Sequence, residues 1–204
     1  ILIILYNLNF HQHSESIYQG FFLGVDVFFV ISGYLITNIL IDQLNKKNFS
    51  FSEFYKRRIR RMLPSLFVVL IISTFISYFL LVPIDIVDHA KSVIASIFFS
   101  SNFYFHITGD QLYQSEAAHL KPLLHTWSLS IEEQFYLLYP AILFLIFKFF
   151  KKKMFEIIVF FTFVSLIANY YFINSPSLTF YLSPFRAWEI GSGCIVALYN
   201  RNRK

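Results

Sequence analysis

The stretch Gly24-Val25-Asp26-Val27-Phe28-Phe29-Val30-Ile31-Ser32-Gly33-Tyr34-Leu35 decides the class of fold, because it holds a single charge within an apolar run that extends from Phe22 to Ile41. About 20 consecutive apolar residues are what a helix needs to cross the hydrocarbon of a bilayer. Met62 to Ile84 and Ile157 to Ile173 have the same character. Gln134 to Phe147 reaches span length if it begins near Trp127, and Ala187 to Tyr199 does so if Phe180 to Phe185 joins it. None of these runs alternates with a period of two, so helices are expected rather than the strands of a barrel. The expected fold is all-α, a polytopic transmembrane helical bundle forming one domain over residues 1–204.

Composition supports this. Of 204 residues, 56% are hydrophobic, 21% aromatic and only 14% charged, whereas charged residues make up about a quarter of a soluble domain. The mean hydropathy is +0.57, and 27 phenylalanines expose more apolar surface than one soluble core of this size can hide. The lone Cys194 rules out a disulfide framework or a cysteine metal site within the chain, and no metal ligand set is assigned. The net charge of +5 does not point to nucleic acid, because the basic residues cluster beside apolar runs. Lys46 and Lys47 with the run Lys56 to Arg61 read as one basic loop, Lys148 to Lys153 as a second and Arg201 to Lys204 as a third, all expected on the cytoplasmic side. That threading leaves no room for Ser92 to Gly109 as a simple single span, so either a re-entrant or interfacial segment is expected there or one of the basic loops lies outside. The chain opens on the apolar Ile1-Leu2-Ile3-Ile4, and the expectation is a domain cut within its first helix and lacking C-terminal helices.

Three polar constellations interrupt the apolar pattern. The run Lys56-Arg57-Arg58-Ile59-Arg60-Arg61 precedes Met62-Leu63-Pro64, with Pro64 expected in a first helical turn. It serves equally as a topology anchor or as a dock for a phosphate-bearing molecule, since guanidinium is the better fork for phosphate. The segment His125-Thr126-Trp127-Ser128-Leu129-Ser130-Ile131-Glu132-Glu133 sets two carboxylates against an apolar helix. These are either functional groups facing a cavity or first-turn acids of a helix capped by Ser128 or Ser130. In Arg186-Ala187-Trp188-Glu189-Ile190-Gly191 the i, i+3 pair Arg186 and Glu189 are expected to neutralise each other. Gly191 and Gly193, like Ser32 and Gly33, suit close helix approach, and Asp26 is expected to face the bundle interior or the water interface.

The segments GFFLGVDVFFVISGYLIT (20–37), FYKRRIRRMLP (54–64), LKPLLHTWSLSIEEQFYLLYP (120–140) and FRAWEIGSG (185–193) resemble, in order and spacing, the acyltransferase-3 family of membrane-bound O-acyltransferases. Many of these acetylate bacterial surface polysaccharides. The resemblance runs from about Leu5 to Leu198. It implies acetyl-coenzyme A as donor substrate with no permanently bound cofactor, a carbohydrate or glycolipid hydroxyl as acceptor, and a multi-pass location in a bacterial cytoplasmic membrane. It maps the donor-binding arginines onto Arg58 and Arg61 and the catalytic carboxylate onto Glu132. It leaves Asp26, Ser32, Gly33, Trp127, Ser128, Arg186 and Glu189 as structural or acceptor-side residues. At the position of the family's histidine stands Asn7, which cannot accept a proton as imidazole does. His11 or His13 beyond it, or His125, are the candidate replacements as general base. A catalytically inactive member is one alternative, and a transporter or flippase of a glycolipid-like molecule, built on the same buried charges, is another.

Overall fold

A computed structural model describes residues 23–108 and 121–203, and the described residues are helical with no strand among them. The helices are α1 (Leu23–Asn45), α2 (Phe51–Leu80), α3 (Pro83–Ile97), α4 (Ser101–Thr108), α5 (Thr126–Phe150), α6 (Met154–Tyr171), α7 (Pro176–Tyr181) and α8 (Ser183–Asn202), with a 3-10 turn at Lys151–Lys153 between α5 and α6. By length and hydropathy α1, α2 and the 46-residue stretch Thr126–Tyr171 can cross a membrane. The 3-10 turn divides that last stretch into helices of 25 and 18 residues.

The chain forms two compact units, one from 23–46 and 141–203 and one from 47–140. In the first, α8 packs on α1 and on α6. Val25, Phe29, Ile36, Leu40 and Leu44 form one buried stripe of α1, at the i, i+4, i+7 recurrence of a helix face. Ile190, Cys194, Ala197 and Leu198 form the matching stripe of α8. The two helices run parallel, since contacts join Asp26 to Arg186, Gly33 to Cys194 and Asn38 to Arg201 in the same order along both. Glycine makes this approach possible. A Cβ on Gly33 would collide with the Ile190 carbonyl, one on Gly193 with the Val30 carbonyl and one on Gly191 with the Thr162 hydroxyl, so backbone meets backbone as in small-residue helix pairs. The opposite face of α1 leaves Val27, Phe28, Ile31, Leu35 and Ile39 exposed, an apolar surface that lipid would cover.

In the second unit Leu66 and Leu70 of α2 enclose Leu123, with Leu63, Val93, Phe99 and Leu129 around them. Most other apolar residues of α2, among them Phe67, Ile71, Phe75 and Phe79, are exposed. The helix begins earlier than the apolar run suggests. Ser50 has extended backbone angles and its hydroxyl accepts from the Glu53 N–H at 3.5 Å, a serine N-cap in a Ser-x-x-Glu frame. Two expectations are thereby corrected. Lys56 to Arg61 belong to α2 rather than to a loop, and Pro64 lies inside the helix, not in its first turn.

Helix α2 ends at Leu80, so Ile84 falls in α3 rather than in the preceding span, and the expected segment Ser92 to Gly109 divides between α3 and α4. The division is a Schellman closure: Phe99 adopts φ 51° and donates to the Ser96 carbonyl at 3.2 Å, while Ser100 donates to the Ala95 carbonyl at 2.8 Å. With 15 and 8 residues, neither helix spans a bilayer alone, in line with the expectation that this is no simple single crossing. Helix α5 does begin near Trp127, at Thr126. The expected joining of Phe180–Phe185 to the last span is only partial, because the chain breaks at Leu182 between α7 and α8.

Candidate active site

The first turns of α5 are fixed by hydroxyl groups. Thr126 and Ser130 lie four residues apart and therefore on one face, and both are buried. The Thr126 hydroxyl bonds those of Ser96 (2.9 Å) and Ser101 (3.0 Å), and Ser101 bonds Ser130 through its own hydroxyl (2.7 Å). The Ser101 N–H also donates to Ser130 at 3.2 Å, and Gln134 donates to the Phe99 carbonyl (2.8 Å) and to Asn102 Oδ1 (2.9 Å). This network pins α5 against the α3–α4 junction, and Glu132 and Glu133 follow directly from it. The two acids lie beyond the first helical turn, and Ser128 and Ser130 are interior helix residues, so the reading of capped first-turn acids is corrected.

Glu132 is 5% exposed and accepts a hydrogen bond from the Tyr136 hydroxyl one turn along. Over the Tyr136 ring, 4.4 Å from its centroid, lies the guanidinium of Arg58, which also approaches the Phe54 ring at 5.8 Å. The Tyr55 hydroxyl donates to the Leu137 carbonyl at 2.7 Å and fastens α2 to α5 at this level. Arg58 thus meets α5 beside its eleventh residue, about midway along it. Arg61, one turn beyond Arg58, is exposed. Trp127 is buried, and the half-buried Ser128 donates to the His125 carbonyl at 3.2 Å. Burial pushes the His125 imidazole below its ordinary pKa of 6.5, against a smaller opposing effect of a backbone hydrogen bond at Pro122, so it is neutral at pH 7. His125 precedes Glu132 by seven residues, about 10 Å of helical rise. Asn7, His11 and His13 lie outside the described residues.

The other unit holds a second charged centre. Arg186 Nη1 donates to Asp26 at 2.7 Å and to Glu189 at 2.6 Å, and Arg186 Nε donates to the Phe180 carbonyl at 3.2 Å. Side-chain exposures of 7%, 28% and 3% for Arg186, Asp26 and Glu189 make this a mostly buried triad. The i, i+3 pairing of Arg186 and Glu189 is as expected. The participation of Asp26, 160 residues away in the chain, was not readable from local spacing. Ser32 and Gly33 are both buried in the α1–α8 contact, and Gly33 is one of the glycines that permit it. Sequence reasoning also missed Tyr136, the link between Arg58 and Glu132, although the i, i+4 spacing from Glu132 was a signal. It missed the hydroxyl network too, whose trace is the i, i+4 pair Ser92 and Ser96 followed by Thr126 and Ser130.

Residues 2–204 match the family model described as an acyltransferase domain. The chain is 37% identical over 185 residues to an uncharacterised protein of Haemophilus influenzae, covering 86% of this chain and 74% of that protein. It is 37% identical over 203 residues to the peptidoglycan O-acetyltransferase OatA of Listeria monocytogenes, covering 97% and 32% of the two chains. It is likewise 37% identical over 201 residues to the O-acetyltransferase OatA of Staphylococcus aureus, covering 96% and 32%. The chain therefore spans about a third of the length of the two acetyltransferases. No solved structure matches it. With residues 2–204 of the 204 inside the family model, the chain belongs to the acyltransferase-3 family.

Proposed function

We propose that the protein is a membrane-bound O-acyltransferase of the bacterial cytoplasmic membrane that moves an acetyl or short acyl group from acyl-coenzyme A to a hydroxyl of an envelope carbohydrate. The observation that carries this reading is the chain of contacts Arg58–Tyr136–Glu132, which brings a cation suited to phosphate and a buried carboxylate into one place. The names of the Listeria and Staphylococcus relatives support acetyl transfer to peptidoglycan as the nearest analogy.

In the reaction, the acceptor oxygen attacks the thioester carbonyl, the C–S bond breaks, the hydroxyl proton passes to a base and the coenzyme leaves as thiolate. Arg58 and Arg61 hold donor phosphates, each charge-assisted contact contributing about 1.5 to 3 kcal/mol. Glu132, held by Tyr136, orients the base or the acceptor hydroxyl. With Asn7 in the first motif, the base is an imidazole elsewhere, His11 or His125. Burial keeps the His125 imidazole unprotonated and available to take a proton, while making it a weaker base than a free histidine.

The test is transfer of labelled acetyl from acetyl-coenzyme A to envelope glycan in membrane vesicles carrying the full protein, Asn7→His or Glu132→Gln. Incorporation by the unaltered protein is expected, together with a loss of about 100-fold or more in Glu132→Gln at equal protein level. Incorporation by Asn7→His alone would make Asn7 an inactivating feature. An unaffected Glu132→Gln would remove that carboxylate from the reaction.

A further inference from the structure

The ends of α1 and α8 and the α5–α6 turn enclose a crevice of about 660 Å³ that none of the transfer chemistry above uses. Its polar lining includes Tyr34, Asn38, Asp42, Asn45, Lys151 and Arg201. Asn38, Asp42 and Asn45 recur at i, i+4 and i+7, so α1 presents them on one face. Two of them are neutral amides, and each holds a cation. Asn38 accepts from Arg201 Nε at 2.9 Å through its side chain and from Arg201 Nη2 at 3.1 Å through its carbonyl. Asn45 Oδ1 accepts from Lys151 Nζ at 3.3 Å, and that ammonium also lies 4.4 Å from the Phe147 ring centroid. Asp42 bonds Arg201 Nη2 at 2.6 Å and is the one carboxylate among the crevice residues.

An amide orients a cation without cancelling its charge. Two cations against one carboxylate leave the crevice net positive, and Arg201 Nη1 has no partner among the described residues. The exposed Lys152 and Lys153 add to the positive potential at the same turn. An apolar molecule would gain little here, and a divalent cation would be repelled. A tetrahedral anion with several acceptor oxygens matches the remaining Nη1 of one fixed guanidinium and one ammonium.

We infer that this crevice binds a phosphate group, held between Lys151 and Arg201. Two sources offer that chemistry at the basic end of a membrane bundle, the headgroup of an anionic phospholipid and the phosphates of a soluble nucleotide. The inference uses none of the transfer residues; because adenosine 3′,5′-bisphosphate is also the phosphate-bearing part of coenzyme A, it is the difference between Lys151→Gln and Lys153→Gln, and not binding alone, that separates this crevice from the proposed donor site at Arg58 and Arg61.

The experiment uses the full protein in lipid nanodiscs and compares Lys151→Gln, Arg201→Gln and, as a control carrying the same charge change outside the crevice, Lys153→Gln. Retention of phosphatidylglycerol over phosphatidylcholine is read by native mass spectrometry, and binding of adenosine 3′,5′-bisphosphate by equilibrium titration. Loss of one charge-assisted contact should weaken the true ligand about ten-fold in Lys151→Gln and leave it nearly unchanged in Lys153→Gln. A loss confined to the lipid identifies a headgroup site, and a loss confined to the bisphosphate a nucleotide site. If both ligands bind Lys151→Gln as they bind Lys153→Gln, the inference is overturned. Lys151 is exposed, so this variant remains decisive should Arg201→Gln fail to fold.

Discussion

Arg186 and Arg58 are both arginines against apolar helices, yet their surroundings differ in kind. Arg186 is 6% exposed and contacts two carboxylates and a backbone carbonyl. Arg58 is half-buried, forms no ion pair among the described residues and lies against aromatic faces. A compensated buried cation is committed to holding helices together, whereas a cation resting on a π-face keeps its hydrogen bonds for a ligand. On the proposed reading, the difference gives Arg186 a structural role and Arg58 a ligand-binding one.

The largest expected effect tests the first half of that comparison. Arg186→Ala leaves Asp26 and Glu189 without their cation and should destabilise the protein by about 3 to 5 kcal/mol, read as a lowered unfolding temperature in detergent. An Arg58→Ala variant destabilised equally would break the distinction. Next, Gly193→Leu forces a side chain into the Val30 carbonyl and should cost about 1 to 3 kcal/mol or separate α1 from α8. Arg61→Ala, at an exposed position, should weaken the donor by roughly ten-fold with the unfolding temperature unchanged. Arg58→Ala should do the same and lower the unfolding temperature slightly through the lost ring contact.

The smallest effect is a pH dependence. Burial lowers the pKa of His89, which is 5% exposed and bonds Thr74 at 3.2 Å, as it lowers that of His125. An unfolded chain takes up these protons near the ordinary value of 6.5 while the folded one resists them. Neither group should affect stability well above that pH, and both should reduce it as pH falls below 6.5 toward their lowered values. His89→Gln should flatten part of that slope in an unfolding series across pH 7 to 5.

Much of the fold was legible because its signals are local. Apolar length marked the spans, and Gly33, Gly191 and Gly193 marked the close helix contact. The start of α2 carried a readable Ser50-x-x-Glu53 frame, but the apolar run drew attention away from it. The α3–α4 break was not legible, because its left-handed residue is Phe99, where glycine or asparagine would have announced a helix end. Phe99 is held there by its contact with the Leu66, Leu70 and Leu123 cluster and by the bond from Gln134 to its carbonyl. The site was legible as a set of segments, but the pairs Asp26–Arg186 and Arg58–Tyr136 join residues far apart in sequence, and only the packed chain shows who faces whom.

The parallel pair α1 and α8 is closed at three levels, by Asp26–Arg186 near one end, by the glycine contacts in the middle and by Arg201 with Asn38 and Asp42 near the other. A slide of one helical turn, 5.4 Å, would break both arginine contacts at once and wedge Cβ-bearing residues against backbone carbonyls. Rotation about either axis would do the same. A displacement of the crevice end of either helix would therefore carry the carboxylate of Asp26 at the far end with it.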